Sequence, residues 1–182
     1  MAQQLGYRFV DDEIVSRAAE RTGMPTEIVA DAEQRRSLAR RILEAMVSAP
    51  GGDPIGYTPN VEAFNPASTS EAVIRDVIEE VAAEDNVVIN AHGSAMQLGR
   101  RAGVLRVLIT GSADVRARRV MDEAGLNQSQ AERALNDSDK ERRDYFKRFY
   151  QINDELPTHY DLTINTDQID FDKAVALIVA PL

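Results

Sequence analysis

Two groups of arginines carry the chemistry this chain is equipped for. Arg116, Arg118 and Arg119 crowd one helical pattern, and Asp139, Arg142 and Tyr145 follow at steps of three on another, with Arg143 beside them. A guanidinium is permanently charged and offers a planar fork of donors, which suits phosphate or carboxylate. Residues three or four apart share a helix face, so Arg116 and Arg119 are neighbours, as are Asp139, Arg142 and Arg143. Between Arg100 and Arg148 there are 12 Lys/Arg against 8 Asp/Glu, in a chain of formal net charge −9. A local basic island in a protein of pI near 4.8 points to a small anionic ligand. Bulk duplex nucleic acid would need an extended positive face to displace counterions.

Other chemistries find little support. With no cysteine and only two histidines, His92 and His159, disulfides, thiolate sites and His-based zinc sites are excluded or nearly so, and no metal-ligand set is assigned. The sequence contains neither G-x-S-x-G nor G-x-G-x-x-G, which removes the usual hydrolase and dinucleotide signatures. Tyr145, Phe146, Phe149 and Tyr150 sit among arginines, but helix core explains most of them better than base stacking, and nucleic acid is not an expected partner. No apolar run approaches the roughly 20 residues that span a bilayer, and no basic-then-apolar leader opens the chain. We expect a cytoplasmic protein with no membrane partner.

The elements that must position the arginines follow from periodicity. Leu5 to Val10 scans as a strand that delivers Asp11, Asp12 and Glu13 to its carboxyl end, before a helix beginning near Ile14. Those acids either sit where ligands bind in open α/β sheets or serve the helix dipole. Thr26 looks like the cap of a helix or helix pair running to Ser48, and the Pro- and Gly-rich stretch from Ala49 to Pro66 reads as a long loop. Ser70 is placed as the cap of a helix with the stripe Val73, Ile74, Val77, Ile78 and Val81. Asp85 and Asn86 turn into the apolar strand Val87–Ile89, which ends in polar Asn90, His92 and Ser94.

Val104–Ile109 is the next expected strand, with Gly111 for a tight turn and Ser112 as cap. On the helix that follows, Val115, Val120, Met121 and Ala124 can face the core. Gly125 stops it, and Asn127 with Gln130 forms a capping box for a long helix over roughly Gln128 to Tyr150. Its stripe runs Ala131, Leu135, Ser138, Arg142, Tyr145, Phe149, apolar except in the middle. An arginine on such a stripe should meet an anion: either a ligand, or Asp139 one turn away in an intrahelical pair. Tyr160–Thr166 supplies the last strand, and Asp170 caps a closing helix with Phe171, Val175 and Ile178 inward. Alternating strand and helix implies an α/β protein with a parallel sheet covered on both faces.

Taken together, LGYRFVDDEIV, VVINAHGSAMQL, VLRVLITGSADVRARRV, the helix bearing Asp139, Arg142 and Tyr145, and YDLTINT resemble, in order, the cytidylate kinase-like family of P-loop nucleoside monophosphate kinase relatives. The resemblance implies a three-layer α/β/α parallel sheet of the P-loop nucleoside kinase type over residues 1–182. A helical and loop acceptor-binding insertion is placed at about 25–69 and a helical lid at about 122–154. It implies catalytic roles for Arg142, Arg143 and Asp139, and substrate binding by Asp11, His92, Arg116, Arg119 and Tyr145. Mg²⁺ and ATP are implied as cofactors and a small phosphorylated nucleotide as partner, catalysis being positioning and charge neutralisation.

Two departures stand out. No G-x-x-x-x-G-K-[ST] occurs, and Met1 to Gln4 fall inside the helix that would follow such a loop, so the fold is expected to be an N-terminally truncated version. Where the family usually has Gly-Arg-Gly, this chain has Ala91, His92 and Gly93, which makes His92 a structural or weak substrate contact rather than a base. The expected function is therefore transfer of the ATP γ-phosphate to a nucleoside monophosphate or similar acceptor, impaired in the chain as given. The alternative is a non-catalytic nucleotide-binding or interaction module. A missing central strand would leave an edge that a second copy of the chain could fill, making a homo-oligomer.

Overall fold

A computed structural model describes residues 1–26, 29–30, 66–90 and 93–180. The helix pair expected up to Ser48, nearly all of the Pro- and Gly-rich stretch after it, and His92 lie outside the described residues.

Among the described residues three apolar clusters organise the fold. Helix α1 (Ala2–Leu5) ends at Gly6 in the left-handed region and leads into strand β1 (Arg8–Val10), followed by α2 (Glu13–Thr22). Helix α3 (Pro66–Ala83) precedes β2 (Val87–Ile89), which pairs in parallel with β1, Val10 against Ile89. The predicted stripe of α3 is realised: Ile74, Val77, Ile78 and Val81 are fully buried against Val10, Ile14, Val15, Ala18 and Ala19. Salt links of Arg8 with Glu13 and Glu84, and of Arg17 with Glu84, cover this packing. They are partly exposed, so apolar burial rather than these pairs holds α2 on α3.

After the short helix α4 (Ser94–Leu98), β3 (Val107–Thr110) pairs in parallel with β4 (Leu162–Asn165). Helix α7 (Phe171–Val179) covers that pair with Ala174 and Ile178 against Ile164. Between β3 and β4 run α5 (Ala113–Ala124) and α6 (Gln128–Tyr150). Ser112, Gly125 and the reciprocal Asn127/Gln130 box bound these helices as the sequence indicates. Helix α6 belongs to two clusters: Ala131 and Leu135 pack with Ala117, Val120 and Leu126, whereas Tyr145, Phe146 and Phe149 enter the α2/α3 cluster.

Several expectations are corrected. Ser70 does not cap α3, which begins at Pro66; Ser70 is fully buried in its interior and its hydroxyl meets Met24 Sδ at 3.8 Å. Gly111 is not needed for a left-handed turn: a Cβ there would sit 3.1 Å from Asp167 Oδ1 and 3.3 Å from Thr166 Oγ1, so close approach of these two side chains, just past the end of β4, explains the glycine. Phe171 is exposed rather than inward, because its ring lies under the Arg119 guanidinium at 5.2 Å, and Ala174 takes the inward place. The strands are parallel as predicted, but among the described residues they form two separate pairs, β1–β2 and β3–β4. Phe9 and Ile109 stay more than half exposed, so cover on both faces is not complete.

Arg106, the polar break in the β3 segment, is 9% exposed and forks onto Asp161 with Nε at 3.0 Å and Nη2 at 2.7 Å, while its backbone N–H donates to the same carboxylate at 2.9 Å. The guanidinium first, and the N–H second, hold the Asp161 carboxyl down to about 2. A depressed folded value stabilises above the unfolded pKa and is lost as pH falls through the folded one. Asp161→Asn should therefore lower stability by about 1–2 kcal/mol at neutral pH, and the gap to wild type should close between about pH 4 and 2. Melting curves across that range check it; a gap that persists at pH 2 would refute it.

Gly93 has φ 62°, and a Cβ there would lie 2.3 Å from Tyr150 Cε2. Gly93→Ala should cost at least about 1–2 kcal/mol from backbone conformation and overpacking, and pairing it with Tyr150→Ala should recover only the overpacking part. Denaturant titration of the two single variants and the pair measures this.

Candidate functional site

The arginines meet between α5 and the middle of α6. Ser112 starts α5 by accepting the Val115 N–H, which sets Arg116 one turn in and facing α6. There its Nη1 and Nη2 donate to both oxygens of Asp139 at 2.9 and 2.7 Å. Asp139 is thus the partner of Arg116, and the intrahelical pair with Arg142 is not formed. Arg142 instead donates through Nε and Nη2 to Glu155, both at 2.7 Å, and its guanidinium lies 4.9 Å over the Phe146 ring.

Glu155 arrives by chain reversal. Gln151 takes a left-handed conformation at the end of α6, and a 3₁₀ turn over Pro157–His159, closed by the Leu156 N–H donating to His159 Nδ1 at 3.2 Å, brings Tyr160 alongside. The Tyr160 hydroxyl donates to Glu155. Burial would push the Glu155 carboxyl up, but the Arg142 fork and the Tyr160 hydroxyl outweigh it and hold it below the usual range. Burial and donation to Glu155 keep the Tyr160 phenol protonated far above neutral pH. Arg142 itself stays charged, since Glu155 overrides the opposing effect of burial.

A cavity of about 160 Å³ opens here, lined by Asp139, Arg142, Arg143, Phe146, Asn153 and Glu155. Arg143 reaches it with no hydrogen-bond or ion-pair partner among the described residues. A second cavity of about 440 Å³ runs between α5 and α6 and shares Asp139 with the first; Arg116, Arg118, Met121 and Leu135 line it. Charged forks around a small pocket beside a larger, mixed one can grip an oxyanion that carries an organic body.

Of the residues singled out in the sequence, Arg116, Asp139, Arg142 and Arg143 are brought together. The others are not. Arg119 donates to Thr166 Oγ1 at 2.8 Å and Thr166 O at 2.6 Å, fastening the end of β4. Tyr145 is 5% exposed and stacks on Phe149 at 4.3 Å, in the core rather than at the cavities. Asp11, at the end of β1, accepts from Asn90 Nδ2 at 3.3 Å and lines neither cavity. His92 lies outside the described residues. Sequence reasoning missed Asn153, Glu155 and Tyr160, because a partner 13 residues beyond Arg142 leaves no trace in helical spacing; Phe146, read only as helix core, also lines the small cavity.

Among the described residues no group of three or more His, Cys, Asp or Glu could hold a metal ion. Mg²⁺ carried with ATP phosphates needs only one or two carboxylates, and nothing below is routed through it.

The pairing pattern is directly testable. A double-mutant cycle of Arg116→Ala with Asp139→Ala should give a coupling of about 0.5–1 kcal/mol, and a cycle of Arg142→Ala with Asp139→Ala should give nearly none. The reverse ranking in denaturant melts would overturn it.

Comparison with known proteins places this geometry in context. A uronate isomerase from Corynebacterium glutamicum is 30% identical over 105 residues, which are 58% of this chain and 20% of that protein; the chain spans about a fifth of that curated relative's length. A solved structure of an uncharacterized protein from Eubacterium ventriosum superposes with a TM-score of 0.59 at 16% identity, covering 96% of this chain and 97% of that one, a likeness of fold alone. The family model of the cytidylate kinase-like family matches residues 1–168. The chain belongs to the cytidylate kinase-like family.

Proposed function

We propose that this protein binds a phosphorylated nucleotide through the α5/α6 arginines, as the phosphoryl-gripping part of a cytidylate kinase-like phosphotransferase. The observation that carries this reading is that Arg142 and Arg143 line one small cavity, while Arg116 lines the adjoining one of about 440 Å³ and is forked onto Asp139, which borders both. Phosphoryl transfer needs positioning and neutralisation of charge on the transferring group. Arg143, with no hydrogen-bond or ion-pair partner among the described residues, supplies a cation, and Arg142 has donors left after its two bonds to Glu155. Arg116, already forked by Asp139, fixes the helix that shapes the pocket.

The second reading is binding without transfer. It is favoured by the absence from this sequence of a G-x-x-x-x-G-K-[ST] loop, whose backbone N–H groups would cradle the β- and γ-phosphates. The residues of this sequence are expected to give at most trace turnover with ATP and CMP. A coupled assay of ADP release on the purified protein separates the readings, and a rate in the ordinary kinase range of about 1–100 s⁻¹ would favour transfer.

Binding is tested at Arg142. Arg142→Ala should weaken CMP or ATP binding by about 1.5–3 kcal/mol, and Arg142→Lys should restore it only in part, since an ammonium cannot make the planar fork. Alanine also strips Glu155 of its partner, so some loss of stability accompanies it and the lysine variant is the cleaner probe. Calorimetric titrations that give equal affinities across the three proteins would sink the reading.

A further inference from the structure

Glu155 occupies the approach a ligand would use. It presents two oxygens to Nε and Nη2 of Arg142, both at 2.7 Å, the same two-point docking that a phosphoryl group makes on a guanidinium. Its side chain is 18% exposed against 49% for Arg142, and both line the small cavity, so the more enclosed carboxylate holds the Nε/Nη2 edge of an arginine that is itself open to solvent. Nor is the pair a by-product of helix spacing. Glu155 lies beyond the end of α6 on a segment turned back by Gln151 and the 3₁₀ turn, and Tyr160 from the far side of that turn donates to the same carboxylate. Three separate pieces of chain hold one anion on one fork.

Resting on the nucleotide-binding reading above, we propose that Glu155, held by Tyr160, is the specificity-determining residue of this anion site: a resident carboxylate that a ligand must displace to take the two-point Nε/Nη2 fork of Arg142, the remaining Nη donors giving only single contacts. A carboxylate ligand brings one charge and two oxygens and gains nothing over Glu155. A phosphoryl group brings close to two charges and three acceptor oxygens, enough to engage Arg142 together with Arg143, which has no partner among the described residues. The site thus admits phosphorylated ligands and rejects carboxylic acids, at the expense of affinity for both.

The test compares wild type, Glu155→Gln, Glu155→Asp, Tyr160→Phe and the double variant Glu155→Gln/Arg142→Ala, titrated calorimetrically with CMP and with acetate, beside their melting curves. Glu155→Gln should bind CMP about three- to tenfold more tightly, the yield of freeing one partly exposed ion pair, and should acquire measurable acetate binding that wild type lacks. Tyr160→Phe and Glu155→Asp should give smaller gains in the same direction, and the double variant should cancel the gain. A merely structural staple would instead lower the melting temperature with no gain in affinity. CMP affinity unchanged or weaker in the folded Glu155 variants would overturn the proposal, and if Arg142→Ala still abolished CMP binding, the nucleotide-binding reading would stand without it. Absence of CMP binding in every protein, the Glu155 variants included, would overturn both.

Discussion

One continuous helix has to serve two cores. Over its 23 residues, about 34 Å at 1.5 Å per residue, α6 buries Ala131 and Leu135 against α5 and then Tyr145, Phe146 and Phe149 against α2 and α3. Its middle turns belong to neither cluster. From that stretch Asp139, Arg142 and Arg143 line the cavities rather than a core, and the polar break in the apolar stripe is the consequence. A charged side chain is tolerated there because it keeps access to water and partners in reach.

The far end of α6 is firmly placed. Arg75 donates to the Phe149 carbonyl, satisfying one of the helix's last free acceptors, and lies 5.5 Å over the Tyr150 ring. Tyr150 in turn fills the space that Gly93 leaves open. The expected lid over 122–154 is therefore not a separate body along its whole length: its C-terminal half is part of the α2/α3 core. What remains beside the cavities is α5, the first half of α6 and the segment carrying Glu155, joined mainly through ion pairs and one small apolar cluster.

Charge is distributed to match. The basic island does not stand free, since two of its forks close on Asp139 and Glu155 and a third, Arg119, is spent on Thr166. An acidic protein can keep several guanidinium groups in one region when each has a nearby oxygen. The fold shared with the cytidylate kinase-like family sets a framework, but chemistry lives in the side chains placed on it. Here those side chains are a set of forks, most of them already answered from within the chain.

The sequence by itself determined the parts governed by local rules. Helix ends at Ser112, Gly125, Asn127 and Asp170 depend on caps and left-handed turns within a few residues. The α3 stripe depends on a 3.6-residue period, and parallel pairing on strand and helix alternating. Arg116, Asp139, Arg142 and Arg143, which line the two cavities from α5 and α6, were legible from helical spacing, and the family from the order of segments along the chain. Only the tertiary structure decided which carboxylate each arginine meets. Asp139 is one turn from Arg142 in sequence yet pairs with Arg116 across two helices, 23 residues away, and Glu155 reaches Arg142 around a chain reversal. Likewise Tyr145 went to the core and Ser70 to a helix interior, because burial against a partner element outweighs the preference a side chain shows locally. Pairing of charges depends on distance in space, and spacing along a helix constrains it only for residues that stay on that helix.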